Sequence, residues 1–369
     1  MWRRLAVACV LAALLACQHA PPPPQITLDT LPERLSDWHV FDAHDTVLKL
    51  NPQFVPYDLN SALFSDYAHK LRAIRVPEGE RIRYGEEDFR FPVGTVIAKT
   101  FYYPRAEDGL AVRKLMEQGE GDALDTRFHR LIETRLLINT QQGWIAAPYV
   151  WNEAQSEAIL ELAGDSVVLD LIDDAHRTRF EYSIPDANQC AGCHAVDHHR
   201  QILAPIGVKA RHLNKDYRYP SATENQLTHW TRLKMLSGSP ARAPRNARWD
   251  GEADLDARAR AYLDVNCAHC HSDRAAANTS GLLLDSHQTE RGALGICKIP
   301  VASGRGSGNG VYDIVPGEPD QSILLYRMQS TEPDVAMPEL GRALVHTEGV
   351  ALIRAWIDSL NGECAAEDQ

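Results

Sequence analysis

The stretch Asn188–His194 reads NQCAGCH, and its closing pattern Cys-x-x-Cys-His returns as CAHCH at Cys267–His271. In this pattern two cysteines attach a haem through thioether bonds, and the adjacent histidine binds the iron. Zinc ribbons place their two Cys-x-x-Cys pairs about 15–20 residues apart and need no histidine after them. The gap here is far longer, and neither pair lies in the strand–helix unit typical of a thioredoxin-like redox pair. The sequence therefore predicts two covalently bound haem c groups.

Six side chains carry this prediction. Each haem takes two cysteines and one histidine, which are Cys190, Cys193 and His194 for the first haem and Cys267, Cys270 and His271 for the second. The region before the first motif contains no nucleophile elbow, phosphate loop or clustered carboxylates. We therefore assign no catalytic residue.

The sixth ligand of the first haem is left open by the sequence. His212 follows the motif at a plausible distance along the chain, Met235 is the alternative, and His198, His199 and His229 are further candidates. A lone histidine or methionine is as often a surface or packing residue. An open sixth position is the remaining possibility, and it would favour an enzyme.

The beginning of the chain predicts export. A basic MWRR is followed by the apolar run Leu5–Ala16, which is shorter than the roughly 20 residues that a membrane-spanning helix needs. Residues 1–16 are therefore interpreted as a cleaved signal peptide. The run ends in LLAC at Leu14–Cys17, which resembles the lipobox of bacterial lipoproteins.

The lipobox resemblance implies that Cys17 becomes the lipidated N-terminus, with plain cleavage and an incidental Cys17 as the alternative. Residues 17–37 would then be a tether, stiffened by Pro21–Pro24. By the same resemblance, Gln18 implies sorting to the outer membrane. We expect the protein on the periplasmic side of the cell envelope, attached to the membrane through its lipid anchor.

The charge of the chain bears on its partners. Its formal net charge is −12, which disfavours nucleic acid and favours basic partner proteins through electrostatic steering. Basic cytochromes or copper proteins are the redox partners that this charge suits.

Two cysteines remain once the signal region and the haem motifs are set aside. Because exported proteins fold in an oxidising compartment, we expect Cys297 and Cys364 to form a disulfide. Two unpaired thiols are the alternative.

From residue 38 to 184 the sequence favours strands. Gly94–Tyr103, Leu131–Asn139 and Trp144–Trp151 are rich in β-branched and aromatic residues, and Thr140–Gly143 between the last two is a hairpin signal. Strands at this spacing predict an antiparallel β-sandwich or barrel.

After the β-rich region the pattern becomes helical. Ser221–Glu224 reads SATE, a capping box that predicts a helix over about Thr223–Leu236. We expect residues 185–248 to form the first haem module and its linker, and residues 249–369 a second cytochrome c domain. The predicted fold is thus α+β and multidomain, with an N-terminal β domain followed by two α-helical cytochrome c-like haem modules.

The last part of the chain resembles class I cytochrome c over about Asp250–Gly362. A predicted helix leads into Cys267, and a Met337-Pro338 pair follows in a loop. A predicted helix capped by Thr347 is the last element. The resemblance implies that Met337 is the second axial ligand of the second haem. Met328 lies inside a predicted helix and is interpreted as a core residue.

As a whole the chain resembles a family of dihaem c-type cytochrome lipoproteins of Gram-negative bacteria. The resemblance rests on Leu63–Ala68, Phe91–Thr95, Asn188–His194, Asn266–His271, Ile314–Gly317 and Met337-Pro338. It implies haem binding and electron transfer, and no substrate.

Three functions are compatible with these features. The first is a carrier that moves single electrons between periplasmic or outer-membrane partners. The alternative is a dihaem peroxidase-like enzyme with an open site at the first haem, although the strand-rich N-terminal region is not typical of that family. A redox sensor whose β domain binds a partner is the third.

Overall fold

The computed structural model describes residues 26–116, 119–174 and 176–364. The predicted signal peptide, the lipidation site Cys17 and Pro21–Pro24 lie outside the described residues. Within them no helix is both long enough and apolar enough to cross a membrane.

The predicted fold class is wrong. Strands account for 29% of the structure and helices for 20%, and the helices do not form two α-helical cytochrome c modules. The strands form several sheets, none of which closes into a barrel in the described part of the chain. The physical reason is that the segment after the first motif forms short strands and packs against the N-terminal sheet, instead of building a helical module of its own.

Eighteen strands are present in the described residues. They are β1 (Phe41–His44), β2 (Val47–Leu50), β3 (Val55–Tyr57), β4 (His69–Arg75), β5 (Ile82–Arg83), β6 (Val96–Pro104), β7 (Val112–Arg113), β8 (Ala123–Asp125), β9 (His129–Thr140), β10 (Gly143–Trp151), β11 (Ala158–Leu160), β12 (Asp165–Asp173), β13 (His176–Ile184), β14 (Ala195–Asp197), β15 (Ile202–Leu203), β16 (Asp216–Arg218), β17 (Thr223–Asn225) and β18 (Leu236–Ser237).

Six α-helices belong to the same residues. They are α1 (Ala187–His194), α2 (Ala210–Leu213), α3 (Gln226–Arg232), α4 (Leu255–Asn266), α5 (Ile323–Gln329) and α6 (Thr347–Ser359). Single 3-10 turns lie at Leu28–Thr30, Leu35–Trp38, Asn278–Ser280, Gly304–Ser307 and Pro319–Gln321.

A six-stranded sheet forms the centre of the N-terminal part, in the order β11-β10-β9-β6-β4-β3. All its neighbours are antiparallel, and β9 and β10 form the hairpin predicted at Thr140–Gly143. Leu136 and Leu137 are adjacent on β9 and point to opposite faces, yet they are only 0% and 9% exposed. The sheet is therefore covered on both faces.

Different parts of the chain cover the two faces. Leu136 belongs to a core built with β1, β2 and the first 3-10 turns. Leu137 belongs to a second core, which contains Val208, Trp230 and, from α4, Val265. Residues that follow the first motif thus share a core with the sheet, and β18 pairs with β5 in parallel.

The remaining strands form smaller sheets. Three strands pair in the order β1-β2-β8, and another three in the order β13-β12-β7. β11 pairs with β10 and β12 pairs with β13, so consecutive strands β11 and β12 belong to different sheets.

The predicted start of the helix near residue 223 is wrong. Thr223–Asn225 forms β17, paired with β16, and α3 begins at Gln226. The Asn225 side chain caps α3 by accepting hydrogen bonds from the backbone N–H groups of Leu227 and Thr228. Strand pairing therefore replaces the capping box expected at Ser221–Glu224.

The C-terminal part has its own core, where α4 and α6 cross. Tyr262 on α4 packs so closely on Gly349 of α6 that a Cβ atom at Gly349 would overlap its ring. Leu263 and Ile353 are fully buried in this core. Cys297 and Cys364, the two cysteines left over by the haem motifs, are joined by a disulfide in this region.

Candidate cofactor and metal site

The first Cys-x-x-Cys-His motif lies on α1. Asp186 caps this helix by accepting a hydrogen bond from the Gln189 backbone N–H at 2.8 Å, and the Gln189 side chain accepts one from the Asp186 N–H at 3.1 Å. Because residues three and four apart share a helix face, Cys190, Cys193 and His194 point to the same side. The local sequence thus places both cysteines and the histidine along one wall of a cavity.

His194 is held in the tautomer that a metal ligand needs. Its Nδ1 lies 2.8 Å from the Ala204 carbonyl oxygen. A carbonyl only accepts, so Nδ1 carries the proton and Nε2 keeps its lone pair. Burial, together with the positive charge of Lys99, lowers the pKa of His194 to about 3, so the ring is neutral at physiological pH.

The second motif continues from α4. Asp254 caps the helix by accepting a hydrogen bond from the Ala257 N–H at 2.9 Å. The Cys267 N–H donates to the Leu263 carbonyl at 2.8 Å, and the His271 N–H donates to the Cys267 carbonyl at 2.9 Å. The motif is therefore an extra turn on the end of a buried helix.

His271 is half-buried at this helix end. Its Nδ1 lies 3.4 Å from the Ser280 hydroxyl oxygen. Burial lowers the pKa of His271 to about 4, which keeps the imidazole neutral at physiological pH.

The two motifs meet in space. The donor atoms of Cys193, His269 and Cys270 all lie within 4.8 Å of one another. The Cys270 thiol donates a hydrogen bond to Cys193, which lowers the pKa of the Cys193 thiol. His269 has its Nδ1 buried with no hydrogen-bond partner among the described residues. This cluster of three potential ligands joins segments far apart in the sequence.

A large cavity opens beside the cluster. It is partly open to solvent, and Cys190, Cys193, His194 and His269 line it. Cofactor sites usually have mostly apolar walls. Leu63 is among the apolar side chains of the wall, so the lining is of the kind found at cofactor sites.

The cavity also has a cationic wall. Lys70, Arg72, Lys99 and Arg135, from β4, β6 and β9 of the central sheet, all line it. Lys70 and Arg72 are only 4% and 3% exposed. Burial and the neighbouring arginines lower the pKa of Lys99 to about 7.

A smaller cavity lies behind the second motif. Cys267, Met337, Arg342 and His346 are in its lining. Arg342 donates to the Met337 carbonyl at 2.8 Å, and its Nε is buried without a partner in the described part of the chain. The lining thus holds a thioether, an imidazole and a guanidinium next to a cysteine of the second motif.

The N-terminal part fixes the loop that carries Met337. The Asp66 carboxylate accepts hydrogen bonds from the backbone N–H groups of Ala343 at 2.8 Å and Leu344 at 2.8 Å. Burial raises the pKa of Asp66 to about 6, although these two bonds oppose the shift. Tyr67 donates to Glu348 at 2.8 Å. The position of Met337 therefore depends on Asp66 and Tyr67, which lie just before β4.

His212 lines neither cavity. The structure therefore does not place it where the predicted sixth ligand of the first haem would lie. The imidazole is 2% exposed, and its Nε2 lies 3.3 Å from an oxygen of Asp264. Asp264 also binds Arg211, so His212 belongs to a buried ion-pair network.

The other candidate ligands of the first haem also lie away from the large cavity. Met235 packs against the second core of the sheet, and His198 and His199 are exposed. His229 stacks on Tyr219 with ring centroids 3.4 Å apart.

Sequence reasoning missed several residues of the site. His269 occupies a variable position inside the second motif, and His346 and the four cations of the sheet are not part of any short motif. Only long-range packing brings these residues together. The alternation of charged and apolar residues in Lys70–Arg72 was a weak signal, since a charge facing a covered sheet face requires a partner. Comparisons with family models, with curated proteins and with solved structures find no match for this chain.

Proposed function

We propose that the chain is an exported dihaem c-type cytochrome that carries single electrons between redox partner proteins. The observation that carries the proposal is that both Cys-x-x-Cys-His motifs lie at a helix end and meet at Cys193, His269 and Cys270, beside a cavity lined by the first motif. His194 is in the tautomer of an iron ligand. A bound haem c supplies reversible one-electron chemistry.

The residues at the first motif fit such a group. Cys190 and Cys193 lie on the same helix face as His194, which is the arrangement that covalent attachment and proximal ligation need. The large cavity adds apolar walls and positive charge. At the second motif we propose Cys267 and Cys270 for attachment, with His271 and Met337 as ligands.

One observation favours a carrier over the peroxidase-like alternative. His269 lines the cavity of the first motif together with His194. His269 would therefore be available as a second ligand to the iron, whereas a peroxidase-like enzyme would need that position free for peroxide. The net charge of −12 suits basic cytochromes or copper proteins as partners.

The proposed location rests on the sequence of residues 1–18, which lie outside the described residues. A signal peptide followed by lipidated Cys17 would anchor the chain at the periplasmic side of the envelope. A tether would then hold the electron-transfer site near the membrane, but it does not extend to residue 37 as predicted, because Leu35 belongs to a core of the sheet.

A structural metal site is the second candidate. Cys193, His269 and Cys270 have the donor types that zinc prefers. The two readings exclude each other, because cysteines that attach haem through thioethers no longer offer thiolates to zinc.

The mass of the purified chain tests the proposal. Expressed in a host that matures c-type cytochromes, the denatured chain should exceed its polypeptide mass by two haems. The variants Cys190→Ser/Cys193→Ser and Cys267→Ser/Cys270→Ser should each lose one haem, and the matched control Cys297→Ser/Cys364→Ser should keep both. An unmodified mass with one bound zinc would establish the second candidate instead.

Electron paramagnetic resonance of the oxidised protein separates carrier from enzyme. Two low-spin iron signals are expected for the carrier. A high-spin signal that changes on addition of peroxide would support the peroxidase-like alternative.

A further inference from the structure

A row of positive charges crosses three strands of the central sheet. Arg72 on β4 pairs directly with Lys99 on β6, and Lys99 pairs directly with Arg135 on β9. Directly paired residues project to the same face of a sheet, about 5 Å apart. All three side chains line the large cavity, as does Lys70, two residues before Arg72.

The carboxylates near the row do not balance it. Asp58 pairs with Arg72 at 2.6 Å and is shared with Lys215 at 3.2 Å. Arg135 donates to Glu133 at 2.7 Å. Among the described residues Lys99 has no carboxylate partner, and its ammonium lies 5.0 Å from the centre of the Phe101 ring.

Without a bound anion, such a row of cations lowers the stability of the folded protein. Like charges on directly paired residues repel, and a positive charge at a wall shielded from water needs a partner. Arg72 and Arg135 already have carboxylate partners, so Lys99 between them is the member of the row that an anion entering the cavity would satisfy.

We propose that Arg72, Lys99 and Arg135 form a carboxylate-binding subsite, and that its occupant is the propionate edge of the haem attached at the first motif. This inference rests on the proposed function, because the haem brings the two carboxylates. The row lies in the same cavity as Cys190 and His194, so one porphyrin can meet both sets of residues. A free small carboxylate is the other source of the same chemistry.

The test compares the haem-loaded wild type with Lys99→Gln, Lys99→Arg and the matched control Lys49→Gln, which removes an exposed lysine of β2. Loss of the cation should disfavour the reduced iron at one haem only. We expect Lys99→Gln to lower the reduction potential of that haem by at least about 59 mV, which is a tenfold change in its one-electron equilibrium constant. Redox-difference infrared spectra should show a shifted haem carboxylate band. Lys99→Arg and Lys49→Gln should match the wild type.

Three outcomes would overturn the proposal. The potentials could be the same in Lys99→Gln and wild type, the potential could move without any change in the carboxylate bands, or the wild-type potential could follow the concentration of added acetate. The last result would identify a free anion as the occupant.

A measurement on the haem-free chain keeps the two proposals separable. At pH 6, below the pKa of about 7 that burial gives Lys99, Lys99→Gln removes like-charge repulsion, so the haem-free variant should unfold at a higher urea concentration than the haem-free wild type. A lower midpoint contradicts the subsite whether or not haem attaches. A wild type that carries no covalent haem contradicts the proposed function instead, and the mass spectrum detects this first.

Discussion

At the scale of single residues, Asp264 is the most connected acid near the second motif. It lies three residues before Cys267 on α4 and is 4% exposed. Arg211 binds both of its oxygens, at 2.8 and 2.9 Å, and Asn246 donates to it at 2.6 Å. The network joins α4 to α2, whose segment also contributes to the core of the sheet.

The charge of Asp264 should make the stability of the protein depend on pH. Burial alone would raise the pKa of Asp264, but the bonds from Arg211 and the charge of His212 lower it from 3.8 to about 2. The folded pKa is thus below the unfolded one, so the stabilisation is complete above pH 3.8 and is lost as the pH falls toward 2. The shift corresponds to about 2 kcal/mol.

The variant Asp264→Asn tests this at pH 7, 4 and 2.5 by urea unfolding, followed through tryptophan fluorescence. At pH 7 it should be less stable than wild type by about 3–5 kcal/mol, because Arg211 loses its buried partner. The difference should shrink by about 2 kcal/mol at the lowest pH. The control Asp320→Asn removes an exposed partner of Arg354 and should change little. Parallel pH profiles for wild type and Asp264→Asn would contradict the assignment.

At the scale of elements, the strands were predictable and their partners were not. Gly94–Tyr103, Leu131–Asn139 and Trp144–Trp151 correspond to β6, β9 and β10, because alternating apolar residues are a local signal. The exchange of helix for strand at Thr223–Asn225 depends on pairing with β16, which no local pattern reveals. The cross-strand row of cations was missed for the same reason, since register is a long-range property.

The crossing of α4 and α6 provides a test at this scale. Gly349→Ala places a methyl group against Tyr262, which is 4% exposed and bonded to His346 at 3.0 Å, so its ring has little room to move. The overpacking cost of about 1–3 kcal/mol should exceed the helix-propensity gain of up to about 1 kcal/mol. We expect a lower urea midpoint than wild type. Gly292→Ala is the matched control, because nothing lies near its Cβ position. A Gly349→Ala protein as stable as wild type would show that the crossing tolerates a side chain.

At the scale of the whole molecule, the site exists because the segment just before β4 packs against the C-terminal part of the chain. The Phe64 N–H donates to Asn266 at 2.8 Å, next to the second motif, while Asp66 holds Ala343 and Leu344. Both motifs could be recognised from the sequence because each is a run of five consecutive residues. Their meeting could not be found, because it depends on contacts between segments separated by most of the chain. One consequence is that two cofactors attached to Cys193 and Cys270 would have neighbouring attachment points, which favours direct electron exchange between them.

This juxtaposition can be tested without any cofactor. In a haem-free chain carrying Cys190→Ser/Cys267→Ser, Cys193 and Cys270 remain, and their sulfur atoms lie within 4.8 Å of each other. A disulfide needs Cβ atoms about 3.5–4.5 Å apart, so small side-chain rotations should allow the bond to form. We expect mild oxidation to join the two cysteines, as seen by peptide mass mapping.

The matched control carries Cys193→Ser/Cys267→Ser, which leaves Cys190 with Cys270. Cys190 lies one helix turn away from Cys193 and is outside the cluster of neighbouring donor atoms. Its crosslinking to Cys270 should therefore be at least roughly tenfold slower, since thiol–disulfide chemistry depends on access between the reacting sulfurs. Equal rates in the two variants would mean that the motifs do not meet at Cys193 and Cys270. Direct electron exchange between the two cofactors would then have no structural basis.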